Sequence, residues 1–146
     1  MLLGTYRHAV DNKGRIAIPA RFREQLPSGS VILKGPEGCL QVYPPMEWAK
    51  EQADQRLGSS TPAEERRLMR MMFSGARECE FDGQGRMPLS ADHREYAGIT
   101  TSAVIVGVNN LIEIWNEDVW RRIGEATAEE YTRIQDEVAE RRRAGK

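Results

Sequence analysis

The chain has 146 residues, a formal net charge of −1 at pH 7, 40% hydrophobic and 29% charged residues. This suits one soluble globular domain or two very small ones, and overall charge does not announce a nucleic-acid partner. No apolar run is long enough for a bilayer, no charged-then-apolar leader opens the chain, and two cysteines without close spacing (Cys39, Cys79) give no disulfide framework, so a cytoplasmic protein with no membrane partner is expected.

In chain order, the first clear signal is Asp11-Asn12-Lys13-Gly14. Asp at the first position and Gly at the fourth fit a type I turn whose glycine takes positive φ. A strand begins at Arg15. Alternation places Ile16 and Ile18 on an apolar face, with Arg15 and Ala17 on the other. Val31 to Leu33 and Leu40 to Tyr43 read as strands around a hairpin turn, Pro36-Glu37-Gly38-Cys39. Pro45 to Leu57 reads as a short helix stopped by Gly58, and Gly58-Ser59-Ser60-Thr61-Pro62 breaks the chain before another. Thr61 and Glu64 form a capping box with Pro62 at the first helical position. Leu68, Met69, Met72 and Phe73 then share one face, suited to covering the body or a subunit seam.

A second turn, Asp82-Gly83-Gln84-Gly85, precedes Arg86. Met87 and Leu89 take the inward places, and Pro88, which lacks a ladder donor, implies an edge or a bulge. Val104 to Val106 and Ile112 to Trp115 read as strands around Val108-Asn109-Asn110-Leu111. Asn116 caps a short helix reaching Ile123, stopped by Gly124. Thr127 and Glu130 form another capping box. Tyr131, Ile134 and Val138 make a narrow stripe suited to packing on the body or a neighbour. The closing Arg141-Arg142-Arg143 reads as a solvated helix end.

The chain repeats itself. A shift of 71 (82 − 11) aligns Gly4 with Gly75, Asp11 with Asp82, Gly14 with Gly85, Arg15 with Arg86, Arg23 with Arg94 and Glu24 with Glu95. A shift of 72 then aligns Gly35 with Gly107 and Trp48 with Trp120. Such self-similarity marks an internal duplication. The units are a first repeat (1–50), linking helices (51–74), a second repeat (75–121) and a helical tail (122–146). One copy is too small to bury an adequate core, so the expected fold is mainly β with flanking helices, a small barrel made jointly by both copies.

Charge separates the copies. Met1 to Leu26 carries Arg7, Lys13, Arg15, Arg21 and Arg23 against Asp11 and Glu24. Gly75 to Thr100 carries Arg77, Arg86 and Arg94 against Glu78, Glu80, Asp82, Asp92 and Glu95. If nucleic acid is the partner, the first copy supplies more of the attraction. Arginine straight after each turn has two readings. It could pair with the aspartate four residues earlier and hold the loop, which on a surface is worth little. It could present its planar fork to a phosphate or the guanine O6/N7 edge. The readings are compatible, since Asp11 can orient Arg15 while Arg15 binds.

The words Gly4, Asp11-x-x-Gly-Arg15, Ile18-Pro19-Ala20 and Phe22-Arg23 carry a family resemblance. So do Leu68 to Phe73, Ser74-Gly75-Ala76, Glu78-Cys79-Glu80, Asp82-x-x-Gly-Arg86, Arg94 to Gly98 and Ile112 to Trp115. Up to about Trp120 the chain resembles the MraZ family of bacterial transcriptional regulators, built from two AbrB-like repeats. The resemblance implies a duplicated AbrB-like swapped-hairpin β-barrel and a ring-shaped homo-oligomer. It also implies binding of double-stranded DNA through the Asp-x-x-x-Arg hairpins, at short repeats upstream of the division and cell-wall gene cluster, including the protein's own gene, in the cytoplasm at the nucleoid. Carried over residue by residue, the DNA-binding set is Asp11, Lys13 and Arg15, with Arg7 in the same basic copy, and a weaker Asp82 and Arg86. The second copy departs from the pattern at Met87-Pro88-Leu89-Ser90 and has Gln84 where the first has Lys13.

Two other functional classes compete with this reading. An enzyme would have to use His8, His93, Cys39 or Cys79, but these match no zinc spacing, neither histidine is repeated, and no catalytic signature occurs, so neither catalytic activity, a cofactor nor a metal is expected. An antitoxin-like or scaffold interaction module is the alternative, since AbrB-like barrels also serve antitoxins with extended toxin-wrapping tails. The helical tail and the duplication within one chain count against it.

Overall fold

A computed structural model describes residues 1–54 and 61–145. Strand β1 (Leu2–Ala9) leads through the first turn into β2 (Arg15–Ala17) and a short helix α1 (Ala20–Arg23). Strands β3 (Val31–Lys34) and β4 (Leu40–Tyr43) form a hairpin, followed by α2 (Pro45–Asp54) and α3 (Pro62–Ser74). The second copy repeats the order with β5 (Arg77–Glu78), β6 (Arg86–Pro88), α4 (Ala91–Ala97), β7 (Ser102–Asn109) and β8 (Ile112–Trp115). Helix α5 (Glu117–Val119) runs into a π-helical turn (Trp120–Gly124), and α6 (Ala128–Ala144) closes the chain.

The copies interleave. One antiparallel sheet runs β1-β7-β8-β4-β3-β5, and a two-stranded ribbon joins β2 to β6. The first strand of each copy therefore pairs with the third strand of the other, β1 with β7 and β5 with β3. The equivalent strands β4 and β8 pair with each other, Gln41 opposite Glu113. So do β2 and β6, with Ile16 opposite its own counterpart Met87. An approximate two-fold axis thus passes through both places. One buried cluster joins ribbon to sheet: Ile16, Ile18, Met87 and Leu89 pack with Leu40, Val42, Ile105, Ile112 and Ile114. Neither copy encloses this core alone, because each lends its strands to the other.

Three expectations are corrected. Among the described residues helix exceeds strand, 45% against 27%, so the chain is a mixed α and β protein rather than mainly β. The excess comes from α2, α3 and α6, and from α1 and α4, which were not anticipated. In α4 the signals are there: Ser90 accepts from the His93 amide at 3.1 Å, and Gly98 closes the helix at φ 65°. The sheet is not closed, since its edges β1 and β5 do not pair. The alignment of Gly35 with Gly107 also fails. Lys34 pairs Leu40 while Gly107 pairs Ile112, so Gly107 stands in the place of Lys34. Gly107 answers to packing instead, because a Cβ there would lie 2.5 Å from the backbone of Leu2 and Leu3.

The expected cap of the linking helix forms in full. Thr61 and Glu64 cap α3 reciprocally, at 3.2 Å each way. Asn116 accepts from the Val119 amide at 3.0 Å, and Thr127 from the Glu130 amide at 3.2 Å, without the reciprocal contact, among the described residues, that would complete the expected capping box. Pro88 sits in the ribbon, whose two strands are both edges. The end expected for the first short helix, Leu57-Gly58, lies outside the described residues, as do Ser59 and Ser60. On α3, Met72 and Phe73 turn inward, Phe73 meeting Trp48 edge-on at 5.5 Å, while Leu68 and Met69 stay exposed. The α6 stripe of Tyr131, Ile134 and Val138 is exposed throughout. No helix among the described residues is long and apolar enough to cross a membrane.

Candidate nucleic-acid interface

Each turn is built by one aspartate. Asp11 Oδ1 accepts the amides of Lys13 and Arg15, both at 2.9 Å, and its Oδ2 accepts Arg15 Nε at 2.9 Å. Asp82 does the same with the amides of Gln84 (2.9 Å) and Arg86 (3.0 Å) and with Arg86 Nε (2.9 Å). The fourth-position amides close back on the aspartate carbonyls, Gly14 to Asp11 and Gly85 to Asp82, both at 3.0 Å. Those glycines take φ 77° and 75°, the left-handed region that favours glycine. The backbone amide of Arg15, then that of Lys13 and the Arg15 guanidinium, hold the Asp11 carboxyl below the usual carboxylate range against the opposing pull of desolvation. The Arg86 amide leads the same set at Asp82.

The ribbon brings the two turns side by side. Leu89 donates its amide to the Gly14 carbonyl at 2.9 Å, and Ile18 donates to Gly85 at 3.2 Å. The arginine of each turn consequently reaches the aspartate of the other. Arg86 Nη1 lies 3.4 Å from Asp11 Oδ2, and Arg15 Nη1 lies 3.7 Å from Asp82 Oδ2. Both arginine side chains are a little under a third exposed, at 28% and 29%. Each arginine is thus tied to its aspartate and still partly open to solvent. Lys13 and its counterpart Gln84 are exposed at the turn tips.

Two further arginines, absent from the sequence-derived set, stand behind the turns. A Cβ on Gly14 would come within 2.8 Å of the Arg94 guanidinium, and one on Gly85 within 2.4 Å of that of Arg23. Each is supplied by the other copy. Arg23 Nε donates to the Ile18 carbonyl at 2.9 Å, whereas the buried Nε of Arg94 has no partner among the described residues. Their alignment as Arg23 and Arg94 was visible in the repeat; their position was not, because it depends on strand exchange. Lys13, Arg15, Arg23, Arg86 and Arg94 thus gather around the two turns with Asp11 and Asp82.

Arg7 does not join them in the same way. Its guanidinium is engaged by Glu117 and Glu125, each at 3.2 Å. Arg121 and, after it, Arg7 hold the Glu117 carboxyl below its usual range.

The residues weighed for catalysis are scattered. His93 occupies the place of Phe22, is buried, and its Nε2 lies 2.6 Å from the Gly75 carbonyl. Burial, with Glu113 beside it, pushes the Cys39 thiol up to about 12, and burial beside Glu78 pushes Cys79 to about 12. Both are unreactive thiols at neutral pH. Among the described residues no group of three or more His, Cys, Asp or Glu is placed to hold a metal ion.

Comparison with known proteins agrees with this architecture. The family model described as "MraZ protein, putative antitoxin-like" matches twice, over residues 1–70 and 72–142. A curated protein of Moorella thermoacetica is 41% identical over 140 residues, covering 96% of this chain and 98% of that protein. One from Lactobacillus delbrueckii subsp. bulgaricus is 44% identical over 140 residues, covering 96% and 95%. One from Desulfitobacterium hafniense is 46% identical over 120 residues, covering 82% and 84%. All three are named "Transcriptional regulator MraZ", which is not an enzyme name. With two matched repeats and relatives of this identity along nearly its whole length, the chain belongs to the MraZ family.

Proposed function

We propose that this protein regulates transcription by binding double-stranded DNA through its two adjacent Asp-x-x-x-Arg turns. The supporting observation is the cluster itself: arginines partly open to solvent, each fixed at Nε by a carboxylate, with Lys13 at the tip and Arg23 and Arg94 behind. A guanidinium fixed in this way still offers N–H groups in one plane to a phosphate or to guanine O6/N7. Lys13, Arg15 and Arg86 make the contacts; Asp11 and Asp82 orient them. Arg7, already held by two carboxylates, adds less. The targets are short repeats upstream of the division and cell-wall gene cluster, including the protein's own gene, and the protein acts in the cytoplasm at the nucleoid.

The protein works as a ring-shaped homo-oligomer. Exposed apolar residues on α3 (Leu68, Met69, Met71) and on α6, with the long open edge of β1, support assembly with further copies. Light scattering should give a mass well above a dimer, and a stable monomer at micromolar concentration rejects assembly. A ring engages several turns along one DNA face, so weak contacts multiply. Footprinting on DNA upstream of its own gene tests the binding. Neutralising six phosphates gives a log–log salt slope of roughly −5, and a slope near zero rejects this mode.

One observation favours a second reading, a protein-interaction module: the exposed stripe of α6, in a family described as antitoxin-like. Co-purification of a small partner protein on Tyr131, Ile134 and Val138, without footprinting activity, would decide for it.

A further inference from the structure

We infer that Asp82 is a positioning residue for Arg15: the second copy's turn aims the first copy's guanidinium, and the two turns act as one device. The inference rests on the DNA-binding reading above. Arg15 Nε is held by Asp11 at 2.9 Å, which fixes one corner of the fork. A fork held at one corner still swivels about that bond. Asp82 Oδ2, 3.7 Å from Nη1, supplies the second restraint, and Asp11 does the same for Arg86 at 3.4 Å. Two restraints on a planar group fix its plane and reduce the side-chain freedom lost on binding.

The contact is built into the fold. The hydrogen bonds Leu89 to Gly14 and Ile18 to Gly85 tie the turns together across the ribbon, and Arg94 fills the space behind Gly14. Asp82 is therefore held beside Arg15 by the backbone.

Simple electrostatics predicts the opposite sign from positioning. A carboxylate near a polyanion repels it, so removing the Asp82 charge should raise affinity if charge alone matters. If Asp82 aims Arg15, removal should lower affinity. Asparagine is the suitable replacement, because its Oδ1 can still accept the Gln84 and Arg86 amides that shape the turn.

The experiment uses the full chain and a fluorescent duplex from upstream of its own gene, read by anisotropy. The reference variant is Arg86→Ala, in which Asp82 has no arginine of its own to serve. Adding Asp82→Asn should weaken binding roughly tenfold, within the range for residues in contact. Adding it to Arg15→Ala/Arg86→Ala should cost nothing more. In 15N-labelled Arg86→Ala protein, the Arg15 Nε–H signal should broaden when Asp82→Asn is introduced, which tests the restraint without DNA. Unchanged or tighter binding in the Arg86→Ala background with an unchanged Arg15 signal overturns the inference, as does an equal loss with Arg15 absent. If Arg15→Ala binds like the parent, the DNA-binding reading fails and the inference falls with it. If Arg15 matters and Asp82 does not, the inference alone fails.

Discussion

In the first copy the opening strand β1 pairs with β7 through all eight of its residues, Leu2 to Ala9; in the second, β5 pairs with β3 through only Arg77 and Glu78. The turns that follow are nearly identical. Within its own turn each aspartate side chain accepts three hydrogen bonds, at 2.9, 2.9 and 2.9 Å in the first copy and 2.9, 3.0 and 2.9 Å in the second. The turn is fixed by atoms within five residues, so both copies keep it. The strand depends on what packs over it. Tyr6 lies edge-on against Phe22 at 5.3 Å, whereas its counterpart Arg77 is exposed, and a cavity of about 490 Å³ opens between Arg77, Pro88 and His93. Duplication has kept the part that local chemistry dictates and let the part that depends on neighbours diverge.

The largest effect should come where the copies are most alike. Ile16 and Met87 face each other on the approximate axis and are fully buried. Ile16→Ala and Met87→Ala should each cost about 2–5 kcal/mol of stability in denaturant unfolding, in one transition. A marked inequality between the two would show that the halves of the core are not equivalent.

The next effect separates the turns. Arg15→Ala should remove most specific DNA binding, at about 1–3 kcal/mol per engaged site, and Arg86→Ala less, because its tip carries Gln84 in place of Lys13. Gel shifts on both variants, with melting curves beside them, measure this. If Arg86→Ala is the more damaging, the charge difference between the tips is not what ranks them.

The smallest effect concerns acid. Both Asp11 and Asp82 have carboxyls lowered in the folded chain, so what they contribute is present above the ordinary carboxylate range and is lost as pH falls through their lowered values. The amide signals of Lys13 and Gln84 should hold steady down to roughly pH 4 and move only below it. Movement of one at distinctly higher pH would mean that its turn is not closed as its twin is.

Much of this was legible in the sequence because it is local. Asp at the first turn position and Gly at the fourth dictated both turns, and Thr61, Asn116 and Thr127 announced their helices. Three things were hidden by distance along the chain. Arg7 meets Glu117 and Glu125 more than a hundred positions away, so no motif signals that its charge is shared. Arg23 and Arg94 become part of the site only because each packs under the other copy's glycine. Gly35 and Gly107 aligned by identity, yet Gly107 answers to the closeness of β1 and does not occupy the place of Gly35. The short helices α1 and α4 were missed for a different reason. Their inward residues, Phe22 and His93, are too few to show a period.

The exchange of strands has a consequence for how the chain comes to be. β1 is made long before its partner β7, Leu2 standing opposite Asn109. At a translation speed of roughly 5–20 residues per second, the first strand waits for seconds before the strand it needs leaves the ribosome. The first copy cannot finish on its own while the second is being made. Its apolar side must stay unpaired, or be borrowed by another nascent chain, until β7 has emerged. The protein should therefore acquire its structure late and all at once, at the slow pace set by contacts between distant parts of the chain.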